Sequence, residues 1–213
     1  MIRKVIIGAL ALFVTAGAVN AQTTQFGVKG GYNLSKITTD EDGTTSKGLS
    51  GFNAGLVADI GITEMFSVRT GLDLQSKGGV LSENNATGKL TANPLYLEIP
   101  ATFNVNFPLG GNVKLYAGAG PYVAFGVGGK YKASGSFWGL VDGEEAIKWG
   151  SDNDDHMKRV DGGVIVGGGL KFNDKFGIHT QYGIGLVNTD PGSAQDSRKN
   201  NNRTFGVSGI VYF

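Results

Sequence analysis

The stretch Tyr96 to Phe107, YLEIPATFNVNF, sets Leu97, Ile99, Ala101, Phe103, Val105 and Phe107 alternately against Glu98, Thr102, Asn104 and Asn106. A period of two puts the apolar set on one face of a strand and the polar set on the other. The pattern recurs over 25–34, 52–61, 66–76, 95–107, 113–128, 161–172, 176–187 and 204–213, which predicts eight strands. Their apolar face, from Phe26, Val28, Gly30, Tyr32 and Leu34 at the start to Phe205, Val207, Gly209, Val211 and Phe213 at the end, carries no charge. A strand of about ten residues, rising about 3.3 Å per residue and tilted by about 40°, climbs roughly 25 Å, enough to cross a membrane.

The second face supplies Lys29, Asn33, Asn53, Asp59, Arg69, Asp73, Glu98, Asn104, Lys114, Asp161, Lys171, His179 and Gln181, interleaved with Gly31, Gly55, Gly71, Gly118, Gly120 and Gly167. A face turned to water would carry long Lys, Glu and Thr side chains in place of so many glycines. The mixture suits the lumen of a narrow barrel, which side chains fill completely when there are eight strands. Its charges balance, with Lys29, Arg69, Lys114 and Lys171 set against Asp59, Asp73, Glu98 and Asp161. Buried charges need partners, and here they exist in equal number.

Short links ITEM, PLGGN and NDK follow the second, fourth and sixth strands, whereas the other links are long and polar. An even strand count then puts the long loops outside the cell and both termini in the periplasm. Phe26, Phe66, Phe107, Phe172, Phe176 and Phe213 mark the short-turn end of the apolar face, and Tyr32, Phe52, Phe125, Tyr182 and Phe205 lie nearer the long loops. Two such bands are expected of interfacial aromatic girdles. The predicted fold is therefore all-β: an eight-stranded antiparallel up-and-down transmembrane β-barrel over 22–213.

Before it, Arg3 and Lys4 precede an apolar run from Val5 to Val14 and small residues ending at Ala21, the layout of a signal peptide over 1–21. Without Arg3 and Lys4 the 19 basic residues fall to 17 against 18 acidic ones, a balance of −1 that gives no reason to expect nucleic acid as a partner. The chain has no cysteine, so a disulfide scaffold and a thiolate metal site are both excluded. No cofactor is expected.

The segments FGVKGGYNLS, YLEIPATFNVNF, YAGAGPYVAFG, DGGVIVGGGLKF, YGIGLVN and RTFGVSGIVYF together resemble the outer-membrane β-barrel family that includes the PorT-like proteins of Gram-negative bacteria. The resemblance implies residence in the outer membrane and, at Tyr212 and Phe213, a closing signal read by the assembly machinery. Some members of that family are linked to secretion of other proteins. No catalytic motif comes with it.

Several features carry readings of their own. Neither Pro100 nor Pro121 can donate to a ladder. A hairpin pairing Phe107 with Val113 sets Pro121 opposite Ile99, one step from Pro100, and predicts a bulge or distorted ladder there. His179 faces the lumen without a recognisable nucleophile or orienting group, so it reads as a hydrogen-bonded interior residue. Asp152, Asp154, Asp155 and His156 in SDNDDH lack the glycine and glutamate of an EF-hand and read as a solvated acidic loop. Phe137, Trp138 and Trp149 make the loop from Lys130 to Val160 unusually apolar; these residues could pack against the barrel rim, insert into the outer leaflet or form a contact surface for another protein, and packing of the loop on itself is the leading reading.

The function expected is structural or interactive, through the lipid bilayer and through an unknown protein or envelope partner at the outer loops. A narrow pore for small solutes, an accessory barrel in secretion, a lipid-modifying enzyme and a soluble ligand-binding barrel are the alternatives.

Overall fold

The computed structural model describes residues 23–39, 46–84, 88–134, 143–151, 155–191 and 200–213. The expected signal peptide, together with Phe137, Trp138, Asp152 and Asp154, lies outside them. Among the described residues ten strands follow in order: β1 (Thr23–Thr39), β2 (Leu49–Gly61), β3 (Phe66–Ser76), β4 (Gly79–Asn84), β5 (Gly88–Gly110), β6 (Val113–Ser134), β7 (Gly143–Ala146), β8 (Val160–Phe172), β9 (Phe176–Gly185) and β10 (Asn200–Tyr212). All their pairings are antiparallel, and β1, β2, β3, β5, β6, β8, β9 and β10 pair in a closed cycle.

The remaining two strands were expected to be loop. β4 pairs with the start of β5 and β7 with the end of β6, beyond the ring. They form because β5 and β6 run on for 23 and 22 residues, twice what a crossing needs, and offer ladder groups that require partners.

Register fixes the shape of the ring. Stepping through successive partners from Thr24 leads to Ile60, Val68, Phe103, Ala119, Val166, Tyr182, Phe205 and back to β1 at Leu34, ten residues further along. A stagger of ten over eight strands corresponds to a tilt of about 41° at the usual strand spacings. Every residue on that path from Ile60 to Leu34 belongs to the predicted apolar face, and Thr24 continues its parity one residue before the expected start of the first strand. That face is the outer one: Phe52, Leu56, Phe103, Val166, Ile178 and Phe205 are exposed, while Gln75, Asn33, Asn202, Asp73 and Asp161 are among the most deeply buried side chains. Apolar outside and ionic inside is the inverse of a water-soluble barrel, so the wall requires hydrocarbon around it and the soluble alternative falls.

The proline expectation is corrected in its register. Gly110, Gly111 and Asn112 all adopt positive φ, at 88°, 59° and 63°. The turn they make pairs Phe107 with Leu115 and Ile99 with Val123, two residues from the expected alignment. Around the prolines, the β5–β6 ladder skips from Pro100↔Tyr122 to Phe103↔Ala119, and the β3–β5 ladder from Thr70↔Ala101 to Asp73↔Glu98. Both resume in the same alignment, so the missing donors interrupt the ladders without adding a residue. The Thr70 hydroxyl donates to the Pro100 carbonyl at 2.8 Å. Register shifts occur instead between Leu95 and Tyr96 and between Pro108 and Gly110.

Candidate functional site

Inward-facing side chains cross the lumen at three levels. At the short-turn end, Arg69 on β3 grips Asp59 on β2 with two parallel bonds, Nε to Oδ1 at 2.6 Å and Nη2 to Oδ2 at 2.9 Å. Such a bidentate fork is a strong charge-assisted contact. The same guanidinium donates from Nη2 to the Tyr212 hydroxyl at 3.0 Å and lies 4.2 Å over the Tyr116 ring. Lys171 on β8 stands 3.6 Å from Asp59 Oδ2 and 4.1 Å over the Tyr212 ring, and it donates to Gln25 on β1.

His179 completes this level. Its Nδ1 lies 3.2 Å from Arg69 Nη1 and 3.0 Å from the Tyr116 hydroxyl, and its Nε2 lies 3.2 Å from Gln181 Oε1. A guanidinium can only donate, so Nδ1 accepts and Nε2 carries the proton that Gln181 receives. The ring is thus occupied on both nitrogens and stacks on Tyr116 at 5.8 Å. Among the described residues it joins no serine or cysteine nucleophile by a hydrogen bond.

The middle level holds the ion pair Lys29–Asp73 at 2.6 Å and a chain of amides. Ser208 donates to Asn53 Oδ1 at 2.7 Å, Asn53 to Asn33 Oδ1 at 2.8 Å, Asn33 to Gln75 Oε1 at 2.6 Å, and Gln75 to Glu98 Oε1 at 3.2 Å. Each amide both gives and receives, which lets the chain cross from β10 to β5 with its polar groups satisfied. The void lined by Lys29, Arg69, Asp73, Thr102, His179 and Gln181 measures ≈ 20 Å³, room for about one water.

At the long-loop end, Lys77 bridges Glu98 Oε2 at 2.7 Å and Asp161 Oδ2 at 3.1 Å, with its ammonium 4.3 Å from the Tyr122 ring centre. Asn202 Nδ2 and the Tyr122 hydroxyl also donate to Asp161 Oδ2, at 3.1 and 3.3 Å. Lys77 was missing from the expected lumenal set because β3 was expected to stop at residue 76. Counting in twos from Arg69 through Asp73 and Gln75 would have found it. Gly78, at φ 126°, then turns the chain into β4; a Cβ there would lie 2.1 Å from the Ala92 carbonyl oxygen.

Lys114 is a correction in the opposite direction. It has the inward parity, yet its side chain is 48% exposed and pairs with Asp174 at 3.0 Å. It is the second residue of β6, so the ring gives out before it can be enclosed. With Lys77 in its place, four cations still face four carboxylates.

Trp149 covers the long-loop mouth. Its ring meets that of Tyr96 at 5.3 Å, nearly edge-on, and packs on the small apolar cluster of Tyr96, Tyr122, Ala124 and Ile165. The indole lies where a Cβ on Gly126 would come within 2.3 Å of it. Expected as a candidate contact residue, Trp149 instead turns inward, where the cluster offers its ring apolar and aromatic neighbours.

Beyond the mouth, Leu90, Tyr131, Ala133, Gly143, Glu144, Glu145 and His156 line a cleft of ≈ 300 Å³. His156 accepts from the Lys148 amide and sets its ring edge-on to Tyr131 at 5.0 Å. Hydrogen bonds from Lys130 and Lys132 hold the exposed Glu144 carboxyl down at about 2. Of the closing residues, Tyr212 points into the lumen and Phe213 is exposed, its amide bonded to the Phe26 carbonyl at 2.9 Å.

A family profile described as outer membrane protein beta-barrel domain matches residues 20–190. No curated protein sequence matches the chain. Among solved structures, Ail, the attachment invasion locus protein of Yersinia pestis, is 18% identical, with 89% of this chain and 98% of that one aligned at a TM-score of 0.45. Neisserial surface protein A is 11% identical over 90% and 99% at 0.47, and OprG from Pseudomonas aeruginosa 13% identical over 90% and 96% at 0.45.

Proposed function

Since the chain belongs to the outer membrane protein beta-barrel domain family and resides in the outer membrane, we propose that it is a closed barrel serving as an anchored contact platform, and neither a conduit nor an enzyme. The observation that carries this reading is the bracing of the lumen at three levels, with Trp149 laid across one mouth. A solute would have to displace paired charges that compensate one another in a medium of low dielectric. An enzyme acting on lipid would need a reactive group at a rim, whereas His179 is enclosed and both its nitrogens are engaged.

In this reading residues 1–21 are the export signal and the long loops face the cell exterior. The contact surface is the outer sheet of β4, β5, β6 and β7 with its cleft. A role beside a secretion apparatus, as in PorT-like proteins, is one form such a platform could take.

Planar-bilayer recording with purified protein tests the closed lumen. The expected result is no steady conductance from the native chain; a stable open level would replace the platform by the narrow-pore reading. Photocrosslinkers placed at Lys130 and Trp138 in intact cells should capture a partner, while one at Trp149 should label only the chain itself.

A further inference from the structure

We propose that Lys36 and Arg203 hold the phosphate of a lipid headgroup where the long-loop end of the barrel leaves the bilayer. The two residues are direct cross-strand partners on β1 and β10. They stand on the outer face, one pleat beyond the exposed pair Leu34 and Phe205, so their stems continue the apolar wall and their charges emerge just past the aromatic band. Facing side chains in an antiparallel pair start about 5 Å apart at Cβ, and like charges so placed destabilise the ladder.

Several other exposed cations are compensated by a neighbouring carboxylate. Lys130 and Lys132 share Glu144, and Lys114 has Asp174. Lys36 and Arg203 have no ion-pair partner among the described residues. On the β2 side the neighbouring position is Gly48, which has no side chain to set beside Lys36; a Cβ there would come within 3.7 Å of Lys36 Cε. Two adjacent cations are tolerated when one anion serves both. A phosphate monoester does so, because its several oxygens accept from a guanidinium fork and an ammonium together. An acyl chain attached to it can lie along Leu34 and Phe205, which favours a lipid over free phosphate.

The test is native mass spectrometry of protein released from phosphatidylcholine vesicles doped with phosphatidic acid or, in parallel, with diacylglycerol. The native chain should retain phosphatidic acid in preference to diacylglycerol, and excess inorganic phosphate should leave that retention unchanged. Removing one cation by Lys36→Gln should weaken retention about fivefold, and Lys36→Gln with Arg203→Gln about 25-fold. Lys89→Gln, at another exposed lysine, should not alter it. Lys36→Glu separates binding from folding: it should abolish retention while raising the urea midpoint, because a carboxylate then faces Arg203. The proposal is overturned if the double variant retains lipid like the native chain, if diacylglycerol is held equally, if inorganic phosphate displaces the lipid, or if Lys36→Glu lowers the midpoint.

Discussion

Two lysines make ion pairs of nearly equal length at different depths. Lys77 lies 2.7 Å from Glu98 inside the ring, with both side chains 3% exposed; Lys130 lies 2.6 Å from Glu144 on the outer sheet, with side chains 59% and 44% exposed. The length of an ion pair therefore says little about its consequence. Inside, each charge has given up its hydration and depends on its partner, so losing one leaves the other stranded. Outside, water and salt replace a lost partner at little cost.

The largest expected effect breaks the buried member. Lys77→Met should lower the unfolding free energy in urea by about 3–5 kcal/mol, since it strands Glu98 and Asp161 together. Adding Glu98→Gln and Asp161→Asn to it should recover most of that loss; if the triple variant is no better than the single one, the charges are not the cause.

Next in size is the cover above this cluster. Gly126→Ala inserts a methyl where the Trp149 ring lies and should cost about 1–3 kcal/mol, with a shift in tryptophan emission as the indole moves. An unchanged spectrum would mean that Trp149 does not close the mouth in solution.

The outer pair should be nearly silent. Lys130→Ala is expected to leave the urea midpoint where it is, Lys132 still pairing with Glu144. A shift as large as that of Lys77→Met would erase the distinction between the regions.

Acid sharpens the contrast last. The Glu144 carboxyl titrates in the folded chain at about 2, below its ordinary value, so its contribution is present above the usual carboxylate range and is lost as pH falls through about 2. Amide exchange at Gly143–Ala146 should quicken in that interval, while the β1–β2 ladder stays protected.

Much of the barrel could be read in advance because a strand repeats every two residues and a membrane tolerates no charge on its outer face. Arg69, Asp73, Glu98, Asp161 and Asp59 were placed inward on that ground. Lys77 and Lys114 were misjudged because alternation assigns a side but not an end: one continues the inward series past the expected strand, and the other keeps the parity after the wall has stopped. Trp149 was unreadable for another reason, since its resting place is formed by Tyr96 and Gly126, which lie far from it along the chain.

The order of residues by itself determined which side chains face outward, that the outward set is uncharged, and that short and long links alternate. These are local properties, set by pleat and composition. Only the closed ring decided who meets whom across the lumen: the ten-residue stagger sets the level at which Arg69, already paired with Asp59 in the β2–β3 hairpin, finds His179 on β9, and the lengths of β5 and β6 decide where an outer sheet grows. Partner choice across a barrel depends on register summed over eight strands, which no single stretch of sequence contains.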